Sequence, residues 1–519
     1  MLNGFQVWQS CRFSFKRRRM RKRSWHGMTG IKGKKIAGWL NRHTVARSAL
    51  IGIASVTAFA GVGGASVAAQ TGSKGSKVEA VHPASSKAIA VEVNGKAVAW
   101  NVQPLIKDDT TFVPLREAGK AAAGNIEWDG KTKTATIKVN GDVIVHQAGT
   151  SVVTVDGLAM SMSAPSLNIK GTLMLPLRSV TDALKASLQL SQTKELLTIR
   201  IQTDAVTKYG KEDAAIDAYL KGEGFSGMAL VAKDGEVLLR KGYGFSGTNK
   251  LNHPDAKSRI ASLTKSFTAA SIMQLVEQGK LSLTDPVSKF VTGIPRGDDI
   301  TIHMLLSHTS GLPSEFTRSG NVTIEQTIAE LRTKQLKYEP GTTYLYSNNG
   351  YVLLAYVLEQ LSGESYADYV SEHFLTPLGM KNSGTATPAT ATIQGYILQK
   401  NNEWAAAPYY VSQSGTGTLY STVDDLLKWD QALRAGKVVS KQSLEAMYTP
   451  HSDKNYGYGW IAINLNGEKG VFHNGSGSGY ATGMLRNLDS GMTVILLGNH
   501  AGMDMTKLLQ QVHKLAAEQ

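Results

Sequence analysis

The order of strand and helix patterns after residue 205 restricts the fold more than any other feature of this sequence. An apolar run with an Asp-Gly turn at its centre predicts a β-hairpin over residues 227–242. Helical patterns follow, and strand patterns return near the end of the chain, at 458–463, 470–473 and 492–497, before a helix over 503–517. This order predicts an α+β domain in which strands from both ends close one antiparallel sheet around a helical insertion.

Residues 259–279 combine a reactive pair of side chains with a helix pattern. Apolar residues recur there near a period of 3.6, and Gly279 ends the helix. Ser262 and Lys265 are three residues apart, so their hydroxyl and amine share one helix face. Burial lowers the pKa of a lysine, which can then take the serine proton, and the N–H groups at a helix N-terminus favour an oxyanion. The pair predicts an activated serine that needs no histidine.

The same spacing occurs at Ser191 and Lys194, within a predicted strand region. A lone pair of this kind also fits a helix N-cap followed by an exposed lysine. The choice between these interpretations therefore depends on the other residues that the sequence supplies.

Tyr346 and Asn348 form a Y-x-N element just before a predicted helix. A phenol beside a lysine ammonium has its pKa lowered and can exchange a proton with the nucleophile or the leaving group. The amide two residues later can hold a substrate carbonyl. Taken alone, Tyr346 also fits a core aromatic residue, and Asn348 also fits a helix N-cap.

His473, Gly475 and Ser476 lie at the end of a predicted strand, followed by more glycine and serine. A strand end made of small residues can approach a substrate closely and offer an N–H group to an oxyanion. On its own, His473 fits a hydrogen-bonded core histidine better. His308, in a loop that ends in Gly-Leu-Pro, is predicted to hold that loop.

The order S-x-x-K, Y-x-N and His-x-Gly resembles the serine β-lactamase and penicillin-binding-protein superfamily. The tyrosine element and His-x-Gly are similar to the branch that contains class C β-lactamases, DD-peptidases and related esterases. Two further segments, at 305–312 and 419–426, also resemble that branch, so the likeness covers about residues 210–518. It implies a β-lactamase/transpeptidase-like domain, with an antiparallel sheet flanked by helices and a helical subdomain.

The resemblance implies a role for each member of the motifs. Ser262 would be the acylated nucleophile, Lys265 its proton partner and Tyr346 the general base and acid. Asn348 would contact a substrate carbonyl, and the reaction would need no metal or other cofactor.

The remaining implied residues form the opposite wall and the oxyanion hole. His473 and Gly475 would line that wall, and the N–H groups of Ser262 and Ser476 would bind the oxyanion. Many members of the superfamily have lysine where this chain has His473. A histidine carries at most a partial charge at neutral pH, so its grip on a substrate carboxylate is weaker. This leaves room for esters and D-amino-acid amides beside D-alanyl-D-alanine peptides and β-lactams.

Residues 88–204 have a different character, with short alternating strands separated by Asn-Gly and Asp-Gly turns. An internal repeat centred on Pro-Leu-Arg occurs at 111–118 and 173–180. With the Trp128-Asp129 pair, this segment resembles the copper amine oxidase N-terminal-like stalk domains of exported bacterial proteins. It contains one histidine, His146, and this is too few histidine ligands for a copper site. We predict a small β-rich stalk domain, either a spacer or a module that binds a cell-wall polymer.

The beginning of the chain predicts export. Residues 1–47 hold thirteen Lys and Arg and no Asp or Glu, so the rest of the chain carries 15 − 13 = +2 of the net charge of +15. This confinement of charge argues against a nucleic-acid partner. The apolar residues that follow, with small residues up to Ala69, are typical of a secretory signal. An uncleaved membrane anchor, a nucleic-acid-binding arm and a start at Met28 are the alternatives, and Cys11 would be removed by cleavage.

The sequence therefore predicts a segment of 1–69 for export, a linker over 70–87, a stalk-like domain over 88–204 and a hydrolase domain over 205–519. The predicted protein is an exported, extracytoplasmic bacterial serine hydrolase acting through an acyl-enzyme on D-alanyl peptides related to peptidoglycan, or on β-lactams. A broad esterase, a D-aminopeptidase and a penicillin-binding or wall-binding protein without turnover are the alternatives. Its partners would be a small peptide, ester or β-lactam and a wall polymer, with membrane contact only through an uncleaved N-terminus.

Overall fold

The structure, a computed structural model, describes residues 88–203, 214–315, 322–409 and 414–518. The predicted signal segment, the linker and Cys11 lie outside these ranges, and so does the predicted domain boundary at 204/205. Within these ranges, no helix is both long enough and apolar enough to cross a membrane. The domain boundaries remain predictions.

Residues 88–203 form short strands and two short helices around their own apolar core. Strands β5 to β9 make an antiparallel meander, and the others form two smaller sheets. The strands are β1 (Ala88–Val93), β2 (Lys96–Ala97), β3 (Leu105–Lys107), β4 (Thr110–Pro114), β5 (Asn125–Asp129), β6 (Thr134–Val139), β7 (Asp142–Gln147), β8 (Val152–Val155), β9 (Leu158–Ser161), β10 (Leu167–Ile169), β11 (Thr172–Pro176), β12 (Ser187–Gln192) and β13 (Leu196–Gln202); the helices are α1 (Leu115–Ala121) and α2 (Leu177–Ala183).

The two copies of the internal repeat lie side by side in this part of the chain. Val113 of β4 pairs with Leu175 of β11 in an antiparallel ladder. Pro114 and Pro176 each end their strand and precede a helix, because proline lacks the N–H that would continue a ladder yet suits the start of a helix. The S-x-x-K sequence at Ser191 lies on the exposed strand β12 and its following turn, as the strand pattern predicted.

Residues 214–518 contain the larger α+β part. Its strands are β14 (Gly227–Lys233), β15 (Glu236–Tyr243), β16 (Phe245–Gly247), β17 (Lys250–Leu251), β18 (Ser258–Arg259), β19 (Gly384–Thr385), β20 (Tyr396–Leu398), β21 (Trp404–Ala406), β22 (Leu419–Ser421), β23 (Ile461–Leu465), β24 (Glu468–Gly477), β25 (Tyr480–Asn487) and β26 (Met492–Gly498). Its helices are α3 (Ala214–Gly222), α4 (Thr264–Glu277), α5 (Ile302–Leu306), α6 (Ile324–Leu331), α7 (Asn348–Ser362), α8 (Tyr366–Val370), α9 (Val423–Arg434), α10 (Lys441–Tyr448) and α11 (Met505–Ala517).

An antiparallel sheet in the order β15-β14-β26-β25-β24-β23 forms the centre of this part. Strand β14, near its beginning, pairs with β26, near its end, from Gly227 opposite Gly498 to Lys233 opposite Met492. The predicted closure of the sheet by both ends is therefore confirmed, and so is the α+β class.

Each face of this sheet packs against its own apolar core because side chains alternate along a strand. Met228 and Leu230 of β14 belong to the core that contains α4, α7 and α9. Ala229 and Val231 belong to the core on the other face, which contains α3 and α11. Lys265 and Asn348 lie on α4 and α7, which pack on the first of these faces. Ser262 and Tyr346 come just before these two helices, and the remaining predicted residues lie in β24.

A buried cluster of charges joins residues 88–203 to the larger part. The Nζ atoms of Lys185 and Lys241 lie 2.7 and 2.9 Å from the Asp142 carboxylate, and Lys241 Nζ is also 3.2 Å from Asp217. Burial raises the pKa of Asp142, but the two ammonium groups outweigh it and lower that pKa to about 2. Such a cluster fixes the position of the stalk-like part against the hydrolase part.

Candidate active site

Ser262 lies in a 3₁₀ turn, Ala261–Leu263, directly before helix α4. Ala261 has a positive φ of 47°, a left-handed conformation that costs alanine of the order of 1 kcal/mol. Ala261 and Leu263 are buried, whereas Ser262 is half-buried and open to solvent. The strained turn thus presents the serine hydroxyl at the surface on a rigid base.

Lys265, one turn further on, is fully buried beside that hydroxyl. Its Nζ donates to Ser262 Oγ at 3.2 Å, to Asn348 Oδ1 at 2.8 Å and to the Thr416 carbonyl at 3.0 Å. Burial lowers the pKa of Lys265 to about 7, although the Glu315 carboxylate nearby opposes the shift. The predicted fall in this pKa is confirmed in direction, and the amine is within reach of the serine proton.

Tyr346 lies over the same lysine, with Lys265 Nζ 4.9 Å from the centre of its ring. The expectation that the lysine lowers the pKa of this phenol is wrong. Burial raises the pKa of Tyr346, and a hydrogen bond with Ser262 only partly offsets that rise. The reason is that taking a phenolate out of water costs more than the hydrogen bond with Ser262 returns, and the nearby Glu315 carboxylate opposes the negative charge as well. Tyr346 is accordingly a neutral hydroxyl that can pass a proton.

His308 and Ser347 fix the segment that carries these residues. His308 is buried, its Nδ1 accepts the Ser347 backbone N–H at 3.0 Å, and its ring lies 4.2 Å from the Tyr346 ring. The Ser347 hydroxyl caps α7 by accepting the Gly350 N–H at 3.1 Å. This arrangement agrees with the structural role predicted for His308, and it starts helix α7 at Asn348.

Asn348 uses both ends of its amide within the site. Its Oδ1 accepts from Lys265 Nζ at 2.8 Å, and its Nδ2 donates to Glu315 Oε2, also at 2.8 Å. Glu315 belongs to no motif and Thr416 contributes only its backbone carbonyl, so neither residue could be recognised from the sequence. A second hydrogen of the Asn348 amide is left for a substrate carbonyl, because the amide nitrogen carries two.

His473 lies in β24 and is almost completely buried, at 2% exposure. Its Nδ1 donates to the Asn474 carbonyl at 2.7 Å, and its Nε2 accepts from the Tyr456 hydroxyl at 2.9 Å. Burial lowers the pKa of His473 to about 3, and the nearby Lys265 acts in the same direction. The histidine is neutral at physiological pH, so it contributes no charge to this wall.

Gly475, two residues further along β24, packs directly against the backbone of the nucleophile. A Cβ atom at this position would lie 2.9 Å from Ser262 N and 2.5 Å from both the Ile260 carbonyl and Thr482 Oγ1. Since these distances are shorter than real side chains tolerate, only glycine permits the close approach. The glycine of the His-x-Gly element thus sets the separation between β24 and the Ser262 turn.

Ser476 is exposed at the end of the same strand. Strands β24 and β25 are joined by Ser478 and Gly479, both with positive φ, which makes a type I′ turn closed by Gly477 and Tyr480. In an antiparallel ladder, only every second residue pair is joined by backbone hydrogen bonds. Gly477 and Tyr480 close the turn as a bonded pair, so the N–H of the next residue, Ser476, points away from β25. Strand β23 pairs with β24 only as far as Phe472, so it does not cover the edge to which this N–H points, and the neighbouring Gly475 packs against Ser262 N.

The structure therefore brings Ser262, Lys265, Tyr346 and Asn348 into contact. It also places the end of β24, with Gly475 and Ser476, beside them. Within the described residues, no group of three or more His, Cys, Asp or Glu side chains is arranged to hold a metal ion. In the stalk-like part, His146 is buried, with hydrogen bonds of 2.8 Å to Val152 and Ser166. The catalytic roles of the site residues remain predictions.

Comparison with known families supports both parts of this architecture. Residues 213–517 match the family described as Beta-lactamase, and residues 92–199 match the family described as Copper amine oxidase N-terminal domain. Both family resemblances drawn from the sequence are confirmed.

Individual relatives give the same result. The chain is 33% identical to Penicillin-binding protein 4* of Bacillus subtilis (strain 168) over 309 residues, which covers 53% of this chain and 68% of that protein. It is 35% identical over 253 residues to PbpX of the same organism, named as a penicillin-binding protein, covering 47% of this chain and 64% of PbpX, less than two thirds of its length. Among solved structures, the octameric penicillin-binding protein homologue from Pyrococcus abyssi matches with 31% identity and a TM-score of 0.54, over 59% of this chain and 77% of that one.

Proposed function

The chain belongs to the β-lactamase family, and we propose that it is a serine hydrolase that acts through an acyl-enzyme. The observation that carries this proposal is the environment of Lys265, whose Nζ is fully buried 3.2 Å from Ser262 Oγ. Its three hydrogen-bond partners are a hydroxyl, an amide oxygen and a peptide carbonyl. An amine that is buried among uncharged partners accepts a proton near neutral pH. It can therefore take the proton of Ser262 and make the serine oxygen nucleophilic.

In the first half of the proposed reaction, Ser262 Oγ attacks a substrate carbonyl as its proton passes to Lys265. A new C–O bond forms, and the N–H groups of Ser262 and Ser476 stabilise the negative charge on the carbonyl oxygen. Tyr346, kept neutral by its raised pKa, carries the proton from Lys265 to the leaving group as the bond to that group breaks. The product is an ester of Ser262 and the free leaving group.

In the second half, water attacks this ester and the same groups act in reverse. Lys265 and Tyr346 remove the water proton, and Ser262 Oγ receives it as the acid is released. The enzyme returns to its starting protonation state, so one water is consumed per acyl group transferred. No metal or redox group takes part in this sequence of steps.

The favoured substrates are D-alanyl peptides related to peptidoglycan, or β-lactams. Support comes from the two relatives named as penicillin-binding proteins and from the signal-like residues 48–69. Export would bring the enzyme to the cell wall, where the stalk-like part, fixed against the hydrolase part through Asp142, would extend it as one body towards a wall polymer.

One observation favours a second candidate on the same machinery. His473 is neutral, and both its nitrogens are bonded within the protein, so it provides no cation for the free carboxylate of a D-alanyl-D-alanine end. An esterase or D-aminopeptidase has no need of that cation. A penicillin-binding protein without turnover would use the same acylation but lack the second half of the reaction.

A panel of substrates separates these possibilities. The purified protein and its Ser262→Ala variant are assayed with nitrocefin, a D-alanyl-D-alanine peptide, a D-alanyl p-nitroanilide and p-nitrophenyl esters. We expect turnover of at least one class that is lost in Ser262→Ala. Equal hydrolysis by both proteins would overturn the assignment of the nucleophile.

A further inference from the structure

Glu315 is an ionisable side chain of the site that has no role in the proposed reaction. It follows the Gly-Leu-Pro loop, and its side chain is exposed beside Asn348. By contrast, burial lowers the pKa of Lys265, His308 and His473, which reduces the positive charge that these groups bring to the site. Glu315 therefore places a carboxyl group at the mouth of the site, beside Asn348.

The position of this carboxylate is fixed by a chain of hydrogen bonds. Lys265 Nζ donates to Asn348 Oδ1 and Asn348 Nδ2 donates to Glu315 Oε2, each at 2.8 Å. Glu315 thus lies one amide away from the lysine and, through it, from Ser262. A carboxylate accepts about four hydrogen bonds, so Glu315 keeps acceptor capacity for a ligand after it has bound Asn348.

We propose that Glu315 selects acyl donors that carry a free primary ammonium group beside the carbonyl held by Asn348. This inference rests on the proposed acyl-transfer function and narrows its substrates. An ammonium group at that place donates a charge-assisted hydrogen bond to the carboxylate. An acylated amine offers no charge there, and a carboxylate is repelled.

The opposite wall favours the same substrates. His473 is neutral and bonded to Tyr456, so a leaving group with a free carboxylate meets no cation on β24 at that position. The charge preference is then set on the acyl side, by Glu315. The substrate class that fits is an aminoacyl or aminoacyl-peptidyl amide, ester or β-lactam with a free amine.

Ampicillin and benzylpenicillin test this directly, because they share one β-lactam nucleus and differ by one ammonium group next to the side-chain carbonyl. The second-order rate constant for acylation is measured for each by intact-protein mass spectrometry at about pH 6.5, where an α-amino group is mostly protonated. For a partly exposed ion pair we expect ampicillin to react roughly 3- to 10-fold faster.

The ratio of the two rate constants is then compared between variants. In Glu315→Gln it should fall to about one, and in Glu315→Lys it should fall below one. The matched control is Glu236→Gln, an equally exposed glutamate in the β14–β15 hairpin, at the opposite end of the sheet from Ser476. That control should keep the wild-type ratio, and circular dichroism checks that each variant is folded.

The outcomes distinguish this inference from the function on which it rests. Equal acylation by both penicillins, dependent on Ser262 and unaffected by Glu315→Gln, overturns the role of Glu315 and leaves the proposed function standing. If neither penicillin reacts, β-lactams are not substrates, and D-alanyl p-nitroanilide is compared with its N-acetyl derivative. A preference for the free amine that Glu315→Gln removes supports the inference. Failure to hydrolyse either compound overturns the inference, whereas the proposed function falls only if the p-nitrophenyl esters are not hydrolysed either.

Discussion

Titration of Lys265 should control the pH dependence of acylation. The ordinary pKa of a lysine is 10.5, and burial lowers that of Lys265 to about 7. At pH 7 this leaves roughly half of the amine uncharged, against roughly one part in three thousand for an ordinary lysine. Because the side chain is fully buried, the shift corresponds to about 5 kcal/mol of bias against the charged form.

The expected profile follows from the fraction of free amine. The second-order rate constant for acylation should rise about tenfold per pH unit below pH 7 and become level above about pH 8. It can be measured from pH 5 to pH 10 with a chromogenic β-lactam or a D-alanyl ester at constant ionic strength. Circular dichroism at each pH separates titration of the site from unfolding.

Lys265→Arg is the matched variant, since a guanidinium stays protonated over this whole range. It should lose at least about 100-fold in the rate constant and lose the rising limb near pH 7. A wild-type rate that continues to rise beyond pH 9 would refute the reasoning. It would point instead to a base with a high pKa, such as Tyr346, whose pKa burial raises.

Further substitutions test other parts of the structure. Tyr346→Phe should slow acylation about 10- to 100-fold in a stopped-flow assay while keeping the limb near pH 7, and loss of that limb would contradict the assignment of Lys265 as base. Gly475→Ala should reduce acylation at least about 100-fold, because the new Cβ would lie 2.9 Å from Ser262 N; wild-type activity would show that β24 can shift. Asp142→Asn should lower the free energy of unfolding in urea by about 2 kcal/mol at pH 7. The stabilisation by the Asp142 carboxylate is present above pH 4 and is lost as pH falls towards its folded pKa of about 2. The difference in free energy of unfolding between the wild type and the variant should therefore shrink in acid.

The nucleophile and its partners could be predicted from sequence because the chemistry needs particular side chains at particular spacings. Ser262 and Lys265 share one helical turn, and Asn348 and Gly475 belong to short motifs in a recognisable order. Closure of the sheet could be predicted because strand patterns occur at both ends of the domain. Motif spacing and strand patterns are both properties of short segments, so they can be recognised in a single sequence.

What could not be predicted depends on contacts between distant residues. The raised pKa of Tyr346 follows from burial, which the Y-x-N element does not reveal. Glu315 belongs to no motif and is recognised only by its hydrogen bond to Asn348, 33 positions later. The charge cluster likewise joins Asp142 to Lys241, 99 positions apart, so no local pattern reveals that the stalk-like segment is attached to the larger part.

Intact-protein mass spectrometry after mixing with a penicillin tests the central claim, acylation of Ser262, most directly. We expect a mass increase of one penicillin in the wild-type protein, located by peptide mapping to Ser262, and no increase in Ser262→Ala. Persistence of the adduct for hours would indicate a penicillin-binding protein, and its rapid loss a β-lactamase. An adduct that forms equally in Ser262→Ala, or that maps to another residue, would contradict the account.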